Sequence, residues 1–594
     1  MKKQITQWLH IIVIMFFGSA VYAQTVTGVV SSANGPSAGV NIIEKGTTNG
    51  TATDFDGKYT ITVINPQAIL VFSDMGYVSR EITVNGQTKI DVLLTEDLQT
   101  LDEVVLVGYS SRKKSTLTGA VSVVDMVDLE KTRVVNVTQA LQGQVAGVQV
   151  TASTGAPGDP IQVRIRGEGT IGNNDPLYVI DGIPTRDIRF LNQADIKSMS
   201  ILKDASAAAI YGSRASGGVV LITTKSGQIG KVTFDVSYYT GLYYASNLPK
   251  MLNTEQYMNT VEKAWNNSSR TGTNPYTADK GRADFSDTDW LDELFEIGRS
   301  QNFQFTASGG SDKIQFLMSL GYNDQDGIVV FDHDKYERLT YRANLTVSLT
   351  ERLKIGTNLQ LTYATQDALS SSGDEPGIIR HALLRPPVLG VYKNPNDPTY
   401  SVRDPFTDLP FYKFNNKDAG GWESDKYEWS QNPIALAYFT DDVRKNFGTF
   451  GNIYAEYSFL KDKELVFRTN LGVDLSFFHN KRFNENFGDD DGGGNDRDKG
   501  LGRQNRPNNL NEDRGESRTI TFNNTLNYVK TFNEKHDVSV LIGTEFIDNY
   551  DSSIGASRMR FGITDPTFRY IDYGGTEVDL WNGGSASEWA LFSF

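Results

Sequence analysis

Several groups of residues in this sequence have types and spacings that could carry chemistry. Gly167, Gly169 and Gly172 follow an extended run, Ile161 to Ile165, in the G-x-G-x-x-G order of a dinucleotide-binding turn. Such a turn must open a helix, so that backbone N–H groups point at a pyrophosphate. Here Asn173-Asn174-Asp175-Pro176 stands where that helix would start, and a glycine-rich loop is the better reading. Asp54 and Asp56 beside Gly57 have the look of a calcium loop, but the remaining oxygen ligands are missing and a plain turn is favoured. The densest oxygen cluster, Asp489-Asp490-Asp491-Gly492-Gly493-Gly494-Asn495-Asp496, falls in a long polar connection and reads as a solvated acidic loop. Trp265, Trp290, Trp422 and Trp429 stand in similar connections, where they would stack on a sugar or peptide, pack the loops, or meet another protein. His10, His333, His381, His479 and His536 are far apart, with no HExxH, so a histidine metal site is not expected. With Cys at 0, disulfides, cysteine–zinc sites, thiol catalysis and lipidation of a mature N-terminal cysteine are excluded. No catalytic constellation, metal site or cofactor site emerges, and an enzyme reading rests on nothing.

The composition points elsewhere. The chain has 594 residues, 39% of them hydrophobic, and a mean hydropathy of -0.36. After the N-terminus no run approaches the roughly 20 apolar residues of a membrane helix. Tyr 27, Phe 31 and Gly 55 are high counts. That texture suits a transmembrane β-barrel, and also a soluble all-β protein. A net charge of -15 argues against nucleic acid, whose binding needs clustered Lys and Arg.

The elements that would position any site follow in order. Residues 1–23 read as a secretory signal peptide: Lys2 and Lys3, an apolar core from Leu9 to Phe17, and Val21-Tyr22-Ala23 at the cleavage position. Residues 24–95 read as a small β-sandwich. Val26 to Val30 and Tyr59 to Val63 alternate, and Asn34-Gly35, Asn49-Gly50, Asp56-Gly57 and Asn85-Gly86 mark hairpin-like turns. Residues 96–114 form a linker whose centre, Leu101 to Tyr109, is strongly β-prone without an obvious hairpin mate. Such a strand suits pairing with a partner chain by β-augmentation, or it is an edge strand of the first domain. Residues 115–227 alternate extended pieces (Leu177–Ile180, Met199–Leu202, Val219–Thr224) with small-residue segments. Ala205 to Ile210 reads as one short helix with Asp204 at its N-cap and Gly212 after its end.

From Lys231 onward, about ten long segments alternate apolar and polar residues. Val232, Phe234, Val236 and Tyr238 share one face; so do Ile314, Phe316, Met318, Leu320 and Tyr322, and so do Leu339, Tyr341, Ala343, Leu345, Val347 and Leu349. The opposite faces carry Thr, Asn, Arg, Gln and Ser, as a wall with lipid outside and water inside requires. Connections alternate short (Gly309 to Lys313, Thr350 to Arg352, Lys461 to Lys463, Phe532 to His536) and long (Ala245 to Ser300, Asp324 to Lys335, Thr365 to Lys445, Asn480 to Glu516, Tyr550 to Ser587). Outer-membrane barrels have short periplasmic turns and long outer loops.

The residues VRIRG, DGIP and LKDASAAAIYGSRASGGVVLITTK, together and in this order, closely resemble the plug of the SusC/RagA-like TonB-dependent outer-membrane transporters of Bacteroidota. The motif positions are Asp181, Gly182, Lys203, Asp204, Tyr211, Gly212, Gly217 and Gly218. The segment GTTNGTATDFDGKYTI is similar to the carboxypeptidase-regulatory-like, transthyretin-like fold that precedes the plug in that family. Asp102, Glu103, Val104, Val105, Leu106, Val107 and Gly108 resemble its TonB box. The resemblance implies a mainly β chain: a sandwich, an α+β plug (residues 115–227), then an antiparallel transmembrane β-barrel (residues 228–594). It implies import of oligosaccharides or peptides driven through TonB with ExbB and ExbD, a SusD-like surface lipoprotein over the barrel, and no cofactor. A plug of this length has a diameter of about 34 Å, whereas about ten strands close to only about 20 Å and about 22 strands to about 44 Å. The chain is therefore expected to hold only the first part of the barrel wall. A TonB-linked signalling receptor and a surface β adhesin are the alternatives. The adhesin would explain the strands but not the alternating loop lengths or the plug motif.

Overall fold

The computed structural model describes residues 24–593 except 33–34, 48, 64, 75–76, 78, 96–103, 108–109, 114–120, 125–135, 153, 205–207, 270, 275, 284, 370–376, 397–399, 401, 403–404, 408–431, 461, 486–507, 534–535, 576–577 and 582–584. The expected signal peptide, Asp102, Glu103, Gly108, the Asp489–Asp496 cluster, Trp422 and Trp429 lie outside the described residues. Two compact units divide the chain near Val104.

The first unit is the expected sandwich, with strands β1 (Gln24–Ser32), β2 (Gly35–Pro36), β3 (Asn41–Glu44), β4 (Gly50–Ala52), β5 (Lys58–Val63), β6 (Ile69–Ser73), β7 (Arg80–Thr83) and β8 (Val92–Leu93). One sheet runs β2-β1-β5 with β8 parallel to β1; the other runs β4-β3-β6-β7. Alternation in β5, with Tyr59, Ile61 and Val63 inward, packs the two sheets over Val26, Ile42, Leu70 and Phe72. Asp54 closes its own turn: its carboxylate accepts from the backbone of Asp56 at 3.0 Å and Lys58 at 2.8 Å, with Gly57 at φ 72.

The second unit holds a two-stranded piece, a small domain and a large sheet. Strands β9 (Val104–Val107) and β10 (Ser110–Lys113) pair with each other. This corrects the expectation that the β-prone linker has no hairpin mate. The mate is Ser-Ser-Arg-Lys, whose polar composition hides a strand from a hydrophobic-pattern reading.

The plug contains β11 (Val121–Val124), β12 (Val148–Ala152), β13 (Ile161–Ile165), β14 (Leu177–Ile180), β15 (Ile183–Thr185), β16 (Ile196–Leu202) and β17 (Val219–Thr224). Its main sheet is ordered β11-β16-β17-β14-β15, and β12 pairs with β13 as a separate ribbon. Strands β14 and β17 are largely apolar and buried on both faces, as a central parallel pair must be. Of the short helix expected at Ala205–Ile210, residues 205–207 lie outside the described residues; Ala208 is helical, its N–H donating to the Asp204 carbonyl at 3.1 Å, and 3-10 turns follow over Ala209–Ala215. Gly212, at φ 65 and ψ -154, interrupts those 3-10 turns, because no regular helix accommodates that backbone angle.

The wall follows: β18 (Gly230–Tyr243), β19 (Gly298–Gly310), β20 (Ile314–Asp326), β21 (Lys335–Ser348), β22 (Leu353–Asp367), β23 (Thr440–Ser458), β24 (Leu465–Asn484), β25 (Asn509–Phe532), β26 (His536–Met559), β27 (Val578–Trp581) and β28 (Ser585–Ser593). Neighbours in sequence are antiparallel neighbours in space from β18 to β26, and β27 and β28 pair with separate stretches of β26, so they occupy one position in the wall. The short connections fall where the alternation placed them. The strands reach further toward the long connections than the apolar pattern indicates: β25 and β26 each span 24 residues, more than the roughly 9–11 needed to cross lipid. Beyond the lipid both faces meet water or protein, so the alternation fades while the hydrogen-bonded ladder continues.

The wall is inside out relative to a soluble sheet. Phe234, Met318, Leu339, Leu359, Ile453 and Ile542 are exposed, while Ser319, Arg342, Asn344, Thr362, Asn470 and Asn523 are buried. No described helix is long and apolar enough to cross a membrane; the strands do the crossing. The long connections also fold. Helices at Trp290–Leu294, Ile378–Leu384 and Pro433–Phe439 share a core with Phe406 and Val391. Trp290 belongs to this packing. Its indole N–H donates to the Pro386 carbonyl at 3.0 Å, and the Arg385 guanidinium lies 4.7 Å over its ring.

Candidate functional site

The site is the seam between the plug and the polar face of the wall. Asp181 and Gly182 make the two-residue turn between β14 and β15, with φ 50 and 89, the mirror-image turn that Asp-Gly favours. The Asp181 carboxylate accepts from the Thr224 backbone at 3.0 Å and from its hydroxyl at 2.5 Å, tying the turn to the end of β17. The turn presents the Gly182 carbonyl to Asn523 of β25 at 3.4 Å, and Ile183 packs where a side chain on Gly472 of β24 would stand. Thr185 donates to Asp474 of β24 at 2.8 Å.

Every strand from β19 to β26 touches the plug. Gln360 of β22 donates to the Phe190 carbonyl at 2.5 Å, and Phe190 stacks on Phe450 of β23 at 5.1 Å. Arg338 of β21 donates to the Arg189 carbonyl. Arg342, also of β21, donates to the Thr224 hydroxyl and to the Lys225 carbonyl, the latter at 2.6 Å. At β19 and β20 a polar clasp forms: Asn192 donates to Gln304 at 2.6 Å, and Asp195 accepts from Ser319 at 2.8 Å and Gln304 at 3.4 Å. Asp195 is 2% exposed; burial pushes its carboxyl above the usual range, opposed by the nearby Arg342 and the Ser319 hydroxyl. At β26, Arg214 pairs with Glu545 at 2.6 Å. Eight strands at roughly 4.8 Å spacing are about 38 Å wide when flat. A flat wall of that width would meet a globular domain only near its middle strands, so contact on all of them means the wall curves around the plug.

The motif residues serve this arrangement in different ways. Lys203 donates to the Ala146 carbonyl at 3.1 Å, and the Asp204 carbonyl accepts from Ala208 at 3.1 Å. Tyr211 is 1% exposed in the core beneath β14 and β17, and burial raises its hydroxyl pKa. Gly217 has no room for a side chain: a Cβ would lie 2.7 Å from the Asp175 carbonyl oxygen. Gly218 stands at φ 86 against Ile165. The Gly167–Gly172 segment is a loop held by Asn174, which accepts from Gly169 and Thr170 and donates to the Thr170 and Gly172 carbonyls. It runs into strand β14, not a helix.

A cavity of about 420 Å³ lies between plug and wall toward the long connections, lined by Asp159, Asp187, Phe190, Tyr336, Thr362 and Phe478. The Thr362 hydroxyl is buried there with no partner among the described residues. Asn192, Asp195, Gln304, Ser319 and Glu545 were not singled out in the sequence. For Gln304, Ser319 and Glu545 the only signal was polarity on the alternate face of a strand, shared with many neighbours; Asn192 and Asp195 lie in a short plug turn that no pattern marks.

Residues 113–219 match the TonB-dependent Receptor Plug Domain, and residues 26–106 match the CarboxypepD_reg-like domain. TonB-dependent receptor P3 of Formosa agariphila is 36% identical over 482 residues, 79% of this chain and 44% of that protein. TonB-dependent receptor SusC of Bacteroides thetaiotaomicron is 32% identical over 486 residues, 78% of this chain and 46% of that protein. The chain thus spans about half the length of the curated relatives it matches. In fold it is similar to the RagAB peptide importer in its open-open state, with a TM-score of 0.64, 26% identity, and coverage of 83% of this chain and 54% of that one. The chain is similar to SusC-like TonB-dependent receptors in sequence, in domain order and in fold, with a wall made for the outer membrane. These relatives are receptors and transporters rather than enzymes.

Proposed function

We propose that this chain, with the plug and lipid-facing wall of a SusC-like TonB-dependent receptor, works in energised import across the outer membrane. The observation that carries the reading is the inverted wall: apolar side chains point out, polar ones point in, and the polar face is occupied by the plug. A plug held largely by polar contacts can exchange them for water when pulled, at a net cost of about 0.5–1.5 kcal/mol per hydrogen bond.

In this reading residues 24–95 form a periplasmic sandwich, 96–114 the linker, 115–227 the plug, and 228–594 the first part of the barrel wall. Solute arrives from the side of the long connections and meets the plug near the Thr362 cavity. TonB, driven by ExbB and ExbD, takes the segment Asp102–Gly108. Since β9 pairs with β10 on one side, TonB adds a strand at the other edge or displaces Ser110–Lys113. A SusD-like lipoprotein covers the outer opening. The cargo is an oligosaccharide or a peptide, the second supported by the likeness to a peptide importer. The chain performs no catalysis. Deleting residues 102–108 in the complete protein tests this: uptake is lost while membrane insertion persists, and unchanged uptake would refute the role.

A further inference from the structure

The outward face of the wall changes character two residues beyond its apolar band. Tyr322 of β20, Leu339 of β21, Tyr363 of β22, Phe447 of β23 and Phe477 of β24 lie side by side in one cross-strand row, and all are exposed. Such an aromatic rim is where an outer-membrane barrel leaves the hydrocarbon. The next outward row toward the long connections follows from the same pairing and is charged: Asp324, Glu337, Thr365, Lys445, His479 and Arg514. It stands about 7 Å farther along the strands, level with lipid headgroups. The two ends of this row differ. Asp324 and Glu337 share Lys335, which approaches them at 3.3 and 3.1 Å. At the other end Lys445 faces His479 and His479 faces Arg514, on three successive strands. Like charges set opposite one another are unfavourable. His479 and Arg514 share one carboxylate oxygen of Glu512, at 2.8 and 2.7 Å, and Glu516 follows Arg514 on the same face of β25. Lys445 is exposed and has no ion-pair partner among the described residues.

We propose that Lys445, His479 and Arg514 bind the headgroup of an anionic, phosphate-bearing lipid of the outer leaflet, whose acyl chains lie along Phe447 and Phe477. The proposal uses the wall's place in the outer membrane and does not depend on the import reading. Three observations carry it. First, the basic side chains continue the face that Phe447 and Phe477 present to lipid, so what meets them is the polar end of the molecules packed against those rings. Second, register singles the place out: among the described residues, no other outward row from β19 to β26 sets basic side chains on adjacent strands. In a chain of net charge -15 such a row is not a by-product of composition. Third, β23, β24 and β25 each have a neighbour on both sides, so the row owes nothing to an open edge of the wall. Strands about 4.8 Å apart bring neighbouring side chains within reach of one phosphate. The Arg514 guanidinium offers a planar fork to its oxygens and Lys445 a point charge.

The complete protein, purified in detergent and checked for heat-resistant assembly, is titrated with lipopolysaccharide from the producing cells, intact or dephosphorylated. Native protein is expected to bind the intact lipid about thirtyfold more tightly than the double variant Lys445→Gln with Arg514→Gln, about fivefold for each cation removed. Dephosphorylating the lipid should abolish that advantage. Glu512→Gln, which removes the carboxylate shared by His479 and Arg514, should bind the intact lipid about fivefold more tightly than native protein; this arm decides the matter if the double variant does not assemble. Lys313→Gln, an exposed cation lost from a short turn, should bind as native protein does. Equal affinity of native and double-variant protein for the intact lipid, or no gain in Glu512→Gln, would overturn the proposal. Inorganic phosphate binding as tightly as the intact lipid would overturn it in favour of a soluble anion. Loss of a co-purifying surface lipoprotein from the double variant, with lipid binding unchanged, would overturn it in favour of a protein partner.

Discussion

Nη2 of Arg214 in the plug donates to the carboxylate of Glu545 in β26 across 2.6 Å, and Glu545 is 1% exposed. The two residues are 331 positions apart in the chain. Removing one partner of a buried pair leaves the other charge uncompensated, at a cost of roughly 3–5 kcal/mol. Glu545→Ala is therefore expected to loosen the plug severely, Glu545→Gln less so, and Arg214→Ala together with Glu545→Ala less than the sum of the single changes. Protease sensitivity of the plug in detergent-solubilised protein measures this, and additive single effects would show that the pair does not hold the plug.

Gly217 and Gly169 make a contrasting pair within the plug. A Cβ at 217 meets the Asp175 and Asn174 carbonyl oxygens at 2.7 and 2.8 Å, whereas one at 169 meets nothing within 4 Å. Gly217→Ala should destabilise the plug by about 1–3 kcal/mol, and Gly169→Ala should change its melting temperature little. Equal effects would mean that the glycine-rich loop is not the plain connection seen here.

Leu359 of β22 is 37% exposed on the apolar face of the wall. An arginine near the middle of a lipid-facing surface costs about 2–4 kcal/mol. Leu359→Arg is expected to reduce assembled, heat-resistant protein in the membrane. Val402→Arg, at an 85% exposed position in a long connection, is the neutral reference. Normal assembly of Leu359→Arg would argue against lipid contact there.

Asp334 closes the connection between β20 and β21, where its carboxylate accepts from the Val329 backbone at 3.1 Å. Burial, the largest influence, pushes its pKa up to about 6 despite these backbone donors. The unfolded value is about 3.9, so between those values the folded loop binds more protons than the unfolded one. Its stability therefore falls as pH rises from about 4 to about 6 and is flat above. Amide exchange at Val329, compared between the native chain and Asp334→Asn, checks the sign; a loop that tightens over that range would contradict it.

The sequence by itself determined the order of parts and the orientation of the wall. A period of two is a local property, so Leu339, Tyr341 and Leu345 announced their shared face without any knowledge of neighbouring strands, and the structure exposes all three. Turn chemistry is local too, which is why Asn85-Gly86 and Asp56-Gly57 were legible as turns. The strand Ser110–Lys113, the 3-10 turns around Gly212 and the upper reaches of β25 and β26 were not, because there no apolar alternation distinguishes strand from loop. What only the tertiary structure decided is which polar residues matter. Gln304, Ser319 and Glu545 look like any others on the water-facing side of a barrel, and Asp195 and Arg214 like any others in the plug, until distant segments fold together. A hydrogen bond or ion pair depends on separations of about 3 Å between atoms that the chain keeps far apart, and such distances are set by curvature of the wall around the plug rather than by any local pattern.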